Sequence, residues 1–270
     1  MLSVLKVGGS VLRDEASYAA TADFLKARLD ARGDERLVVI VSAQYGATDE
    51  LLAEAQAIAS APAAAALDLL WSTGELRSVA RLTLHLQRIG VSAIPFNVHQ
   101  TGLTCPEITR DGTRRTQGGG HTTVRPLRLL AALGASRIVI VPGFLGVSAG
   151  NTITSLGRGG SDLTAVLLAA AVRADACELI KDVPGYFTAD PHRDAGARQI
   201  HELDVDDALA MADAGCDLVQ RGALAAAAQA GLHLIIRCMD AAAPVTHVNK
   251  RSQHHGIRHQ DDSRRAAVGA

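Results

Sequence analysis

The sequence predicts an α/β fold, a largely parallel sheet with helices on both faces, and two observations carry that prediction. Six short β-branched runs, Ser3 to Val7, Leu37 to Val41, Ala93 to Phe96, Ser136 to Val141, Glu178 to Ile180 and Leu232 to Ile236, are each bounded by Gly, Pro or polar residues, as buried strands are. Between them run segments of helical period: Ala16 to Ala31, Thr48 to Ala61, Ala63 to Ile89, Arg125 to Leu133, Ser161 to Val172, Val205 to Ala214 and Ala223 to Ala230. Alternation of the two kinds favours parallel pairing through helical crossovers. Ligands on such sheets bind at the carboxyl ends of the strands.

The 270 residues make one or two lobes. Lys and Arg total 27 against 28 Asp and Glu, a formal charge of −1, so no global field gathers nucleic acid or an anionic membrane and any anion must be held by local groups. With 48% hydrophobic residues but 3% aromatic, the core is built from closely packed Ala, Val, Leu and Ile. Cys105, Cys177, Cys216 and Cys238 form no CxxC pair, and the N-terminal MLSVLKVGGS has no secretory apolar run. Neither a disulfide framework nor a zinc site is expected, and the expected compartment is the reducing cytoplasm. The Ala-rich stretch Leu163 to Val172 is too short to span a bilayer.

Three segments are expected to be loops: Val98 to Val124, Pro142 to Gly160 and Pro184 to Arg198. From Asn249 onward the chain is polar and lacks period, which predicts a frayed tail over 249–270. A lobe junction is expected near Leu145, dividing residues 1–144 from 145–248.

Chemistry concentrates in a few motifs. In LKVGGSVL a strand ends at Gly8 and Gly9, whose amides at a helix entrance suit a phosphate, and Lys6 adds positive charge where phosphoryl transfer is stabilised. SLGRGGSDLT enters an apolar helix with Ser161 at the expected N-cap and Asp162 in the first turn. It fits neither GxGxxG nor a Walker A loop, but Arg158 offers a planar fork for a carboxylate or phosphate. KDVPGYFTADPH ends a strand at Asp182 and turns toward Tyr186 and Phe187, flat side chains able to seat a base. SAQYGAT places Ser42 and Thr48 after a strand, and STGE places Gly74 and Glu75 within a long helix, where a glycine costs about 1 kcal/mol relative to alanine and so signals close backbone approach or a ligand. Ordinary roles stay open for each: a surface Lys6, a solvated Arg158, an Asp162 that complements a helix dipole, a Glu75 on a wet helix face, and core aromatics at 186 and 187.

Taken in order, LKVGGSV, VIVSAQYGATDELL, STGELRSVARL, GFLGV, SLGRGGSDLTAVLLAAAV and KDVPGYFTADP resemble the catalytic domain of aspartate kinases in the amino acid kinase family, over roughly Val4 to Arg237. The resemblance implies a three-layer α/β/α sandwich, with an acceptor lobe over about 1–144 and a lobe for ATP and Mg²⁺ over about 145–248. It implies that Lys6, Gly8, Gly9 and Asp162 are catalytic, that Thr48 lies near the acceptor side chain, and that Glu75 meets the substrate ammonium. Arg158 would grip the α-carboxylate, and Ser42 and Ser161 would also be substrate-binding. Lys181, Asp182, Phe187, Asp190 and Arg193 would hold the nucleotide. A dicarboxylic amino acid needs a cation for each carboxylate and an acid for its amine, and Arg158, Lys6, Glu75 and Asp162 supply that set. The implied reaction is ATP-dependent formation of 4-phospho-L-aspartate by a homodimer or larger homo-oligomer that engages neither nucleic acid nor membrane.

The nucleotide side departs from the family pattern. Lys181 stands where the family has Thr, Phe187 where it has Tyr, and His192 follows Asp190-Pro191 in place of Arg, with Arg193 next. The segment usually written GAKVLHP reads Gly215-Cys216-Asp217-Leu218-Val219-Gln220-Arg221, so Asp217 reverses the charge of a lysine that approaches ATP phosphates. Lys181 and Arg221 are the candidate replacements. The family's ACT-type regulatory domains are not expected in these 270 residues. Two alternatives follow: a same-fold kinase for another small acid or phosphate acceptor, and a non-catalytic amino-acid-binding or regulatory paralogue, for which Asp217 is the motive. No metal-ligand cluster is expected, since His254 and His255 lack a third partner. His99 and His121 fall in the acceptor half, where contact with substrate is open to them.

Overall fold

The computed structural model describes residues 1–106, 122–157, 159–189, 191, 194 and 196–250. The elements run β1 (Leu2–Val7), α1 (Glu15–Ala31), β2 (Arg36–Val41), α2 (Ala47–Ile58), α3 (Ala64–Arg88), β3 (Ala93–Pro95), a 3₁₀ turn (Val98–Gln100), β4 (Leu103–Thr104), β5 (Thr123–Val124) and α4 (Leu127–Ala135). They continue with β6 (Ile138–Pro142), β7 (Leu145–Val147), β8 (Ile153–Ser155), α5 (Gly160–Val172), β9 (Ala176–Ile180), β10 (Glu202–Asp204), α6 (Val205–Asp213), α7 (Arg221–Ala230), β11 (Leu234–Arg237) and β12 (Thr246–Asn249).

Eight strands form the main sheet in the order β10-β12-β11-β9-β1-β2-β6-β3. Every neighbouring pair is parallel except β11 with β12. Successive side chains on a strand point to opposite faces. Leu5, Val7, Val39 and Ile140 therefore pack with Tyr18 and Leu25 of α1 and Leu82 and Leu86 of α3. Val4, Ile40, Val141 and Leu179 pack with Leu129 of α4, Leu168 of α5, Ala208 of α6 and Leu224 of α7. Burial on both faces is why these strands read as continuous apolar runs, and the result is the expected three-layer α/β/α sandwich.

Local chemistry sets the helix ends. Asp14 caps α1 by accepting the Ser17 N–H at 2.8 Å, while Ser17 Oγ takes the Asp14 N–H at 3.0 Å, the reciprocal pairing of a capping box. At α5 the expected N-cap is corrected. Gly159, left-handed at φ 69°, is the cap, so Ser161 lies inside the first turn and makes no side-chain cap bond. Only glycine fits there, because a Cβ on Gly159 would lie 1.7 Å from Gln220 Cγ.

All the expected helices and six long strands are present, with ends shifted by up to three residues. Two expected loops hold a second, four-stranded sheet, β5-β4-β7-β8, whose strands of two or three residues are too short to show alternation. It covers a small cluster of Leu103, Cys105 and Leu156. Asn249, expected to open the tail, closes β12, whose Thr246 and Val248 are buried. Residues 107–121, including the Gly118–His121 run, and 251–270 lie outside the described residues. Among the described residues no helix is long and apolar enough to cross a membrane.

Candidate active site

The carboxyl ends of β1, β2 and β9 carry the site. Lys6 lies in β1 beside Ile40 of β2 and Leu179 of β9, and its side chain is nearly buried. The chain then turns at Gly8, whose carbonyl accepts the N–H groups of Val11 at 3.0 Å and Leu12 at 3.2 Å. One expectation is corrected here: the Gly8 N–H is committed to Ile180 O at 3.2 Å, whereas that of Gly9 has no acceptor among the described residues. Gly9 must be glycine for a steric reason, since a Cβ would stand 2.8 Å from Ala43 O in the loop between β2 and α2.

Glu75 comes from α3. Its neighbour Gly74 lets that helix approach the β2–α2 loop and α2, for a Cβ there would meet Ala43 Cβ and Leu51 Cδ1 at 3.2 Å. Close backbone approach is therefore the reason for the glycine. Far from lying on a wet face, Glu75 is buried at 3% exposure and its Oε2 has no hydrogen-bond partner. Burial pushes its carboxyl up to about 8, against the opposing pull of the Ala43 backbone, the Lys6 charge and the Gly143 backbone. An acid in this state is neutral near pH 7, and a cation arriving at its open oxygen would favour loss of that proton.

Asp162, in the first turn of α5, is also buried. Its Oδ1 pairs with Lys6 Nζ at 2.9 Å and its Oδ2 with Lys181 Nζ at 2.8 Å. Burial alone would raise this carboxyl, but the two ammonium groups override it and hold Asp162 below its usual range. Lys181, at the end of β9, is lowered to about 8 by burial and by the charge of Lys6, with Asp162 opposing. Asp162 thus serves two lysines rather than a helix dipole.

Lys6, Gly9, Ser42, Thr48, Glu75 and Ser161 line one cavity of about 610 Å³. Asp162 stands behind Lys6 and brings in Lys181. Asp182 is outside the cavity and exposed, accepting Ser10 Oγ at 3.2 Å with the Arg13 guanidinium at 3.8 Å. Phe187 is half-buried and bridged to Gln199, and Tyr186 is a core residue at 2% exposure, so neither lines the cavity. Arg158, Asp190, His192 and Arg193 lie outside the described residues. His99 is occupied by Asn151 at 3.2 Å, away from the cavity. Arg221 points its Nε at Asp213 Oδ1, 2.6 Å away, and Asp217 is exposed.

Sequence reasoning missed the apolar wall. Trp71 donates from Nε1 to Thr48 O at 3.1 Å and meets the Phe144 ring edge-on at 5.5 Å, and both line the cavity. The signal was available, since Trp71 and Glu75 are four residues apart on one helix and so share a face. Asp68, one turn earlier, accepts the Ser155 N–H at 3.0 Å and ties α3 to β8.

The model of the amino acid kinase family matches residues 1–238. The chain is similar to the aspartokinase of Thermus thermophilus, 38% identical over 236 residues that cover 87% of this chain and 56% of that protein. Among solved structures it is similar to aspartate kinase from Synechocystis, with a TM-score of 0.80 at 34% identity, covering 93% of this chain and 40% of that one. It also shares its fold with E. coli aspartokinase III, solved in complex with aspartate and ADP, with a TM-score of 0.79 at 24% identity over 94% and 65% of the two chains. The chain spans about half the length of the curated relatives it matches.

Proposed function

The chain belongs to the amino acid kinase family, and on that premise we propose that it transfers the γ-phosphoryl group of ATP to the side-chain carboxylate of aspartate, giving 4-phospho-L-aspartate and ADP. Support comes chiefly from one arrangement: Lys6 and the part-buried Lys181 share Asp162 beside a cavity lined by Lys6 and by Glu75, whose Oε2 is unpartnered. Two ammonium groups around one carboxylate leave an excess positive charge, and the Gly9 amide adds a donor. That set fits a phosphate. The Glu75 carboxyl fits the acceptor's ammonium, and Ser42, Thr48 and Ser161 surround the space between. The relatives support the same chemistry, since the E. coli structure holds aspartate and ADP.

An acceptor carboxylate is already ionised, so its attack on the γ-phosphorus needs no general base. A new P–O bond forms as the bond to the ADP oxygen breaks. Lys6 and the Gly9 amide stabilise charge on the moving group, Glu75 orients the acceptor, and the Trp71–Phe144 wall limits water. Mg²⁺ commonly binds through substrate phosphates with few protein ligands. When bound it would neutralise phosphate charge. Arg158 is assigned the α-carboxylate, and Asp182, Phe187, Asp190 and Arg193 the nucleotide side, on the family resemblance. The division into an acceptor lobe over about 1–144 and a nucleotide lobe over about 145–248 rests on the same resemblance. So does a homo-oligomeric state in the cytoplasm, with which four free cysteines agree.

Trapping the acyl phosphate with hydroxylamine tests the assignment. Aspartate, MgATP and the purified chain should give aspartyl hydroxamate, and Lys6→Ala should lower the rate by about 100-fold or more. A chain that releases no ADP with aspartate or any other small acidic amino acid ends the proposal.

A further inference from the structure

Lys181 and Lys6 reach Asp162 from adjacent parallel strands, β9 and β1, at 2.8 and 2.9 Å. Both side chains are close to buried, at 11% and 8% exposure. A structural ion pair needs one cation per carboxylate, and burying a second ammonium beside the first costs free energy unless another anion completes the set. The described protein supplies no ionised one: Glu75, which feels the Lys6 charge, is held neutral near pH 7 by burial, and Asp182 is turned to Ser10 and Arg13 on the exposed side. At the turn before α7 the charges point elsewhere, with Asp217 acidic and exposed and Arg221 bound to Asp213.

We propose that Lys181 is a second phosphate-facing cation of this site, set opposite Lys6 across Asp162, and that it supplies from β9 the positive charge that Asp217 withholds at the turn before α7. The assignment rests on the phosphotransfer function above and adds a residue to it. The groups facing the Lys181 ammonium are Lys6 from β1, Asp162 from α5 and, next along the chain, Asp182. Because burial and the Lys6 charge lower Lys181 to about 8, an arriving phosphate raises it again, and nucleotide binding near pH 8 takes up protons.

The test uses the full chain with Lys181→Met and Lys181→Arg. The Met variant should lose about 100-fold in kcat/KM for MgATP while KM for aspartate moves less than about threefold, and the Arg variant should keep at least about a tenth of wild-type activity because charge is what counts. Calorimetric titration with ADP at pH 8, in two buffers of different ionisation enthalpy, should show proton uptake by the wild type and none by Lys181→Arg. A Met variant that melts like the wild type and keeps kcat/KM for MgATP within about threefold overturns the assignment, as does a loss borne by aspartate KM alone. Should the Met variant not fold, Lys181→Arg decides: proton uptake equal to wild type overturns it. A wild type that takes up protons with ADP but forms no aspartyl hydroxamate removes the acceptor proposed above and leaves Lys181 in place.

Discussion

Two buried charge clusters occupy opposite faces of the same sheet, and they are built on different rules. On the face of α1, Arg28 binds Glu35 through Nε at 2.9 Å and Nη2 at 2.8 Å and reaches Glu178 at 2.6 Å. Ser3 Oγ and Arg32 complete Glu35, and Arg237 approaches Glu178 at 3.4 Å. Acids and bases there satisfy one another through planar, bidentate bonds. Burial by itself would lower Arg28, but the two carboxylates more than reverse it. On the face of α5, one carboxylate serves two flexible lysines, and Glu75, reaching in from α3, keeps an unpartnered oxygen. The closed cluster fastens α1 to β2 and β9. The open one holds unspent charge beside a cavity, as a site for charged ligands requires.

Substitutions should separate the two. Asp162→Asn leaves two lysines without their anion and should lower kcat by about 1,000-fold in the hydroxamate assay, the upper end of what a lost electrostatic group costs. Glu178→Gln breaks a buried pair and should cost about 3–5 kcal/mol in urea unfolding, with KM for both substrates near wild type. A loss of activity at Glu178 matching that at Asp162 would erase the distinction. Glu75→Gln should raise KM for aspartate about tenfold, a charge-assisted bond's worth. The same variant carries a pH signature. Folded Glu75 titrates near 8 against a reference of 4.5, so the native state holds an extra proton between those values and stability declines as pH rises through that window. Unfolding midpoints of the wild type should show that decline, and those of Glu75→Gln should be flatter. In the wild type, KM for aspartate should fall as pH approaches 8, because the ammonium needs the ionised acid. The smallest effect belongs to Arg221→Ala, whose exposed pair with Asp213 is worth about 0–1 kcal/mol and whose loss should leave KM for MgATP unchanged.

Six of the main sheet's eight strands were legible because they are apolar on both faces and the helices between them keep their period for two turns or more, whereas β10 (ELD) and β12 (THVN) are short and carry polar residues, so neither reads as a buried strand. The small sheet was not legible either, since Leu103–Thr104 and Thr123–Val124 are single pairs of residues set among polar neighbours. The motifs delivered Lys6, Gly9, Thr48, Glu75 and Ser161 to one cavity. Their partnerships were hidden for a topological reason. That Lys6 and Lys181, 175 positions apart in number, end side by side follows from β1 pairing with β9, and nothing local in either segment encodes that pairing. Burial of Glu75 was hidden for the same cause, for only the packing of α3 on the β2–α2 loop takes it out of water. The N-cap of α5 was misplaced because serine is the commoner cap, whereas here the contact with Gln220 selects a left-handed glycine.

That contact joins two segments that the proposed function assigns to different substrates. Gly159 rests directly on the Gln220 side chain, which begins α7, so the loop entering Ser161 and the turn entering α7 cannot shift independently. If the proposed reaction holds, loading either ligand should stiffen the seat of the other. Saturation curves for the two substrates should therefore show synergy, each lowering the half-saturating level of its companion, and trimming Gln220 to Ala should make the curves independent.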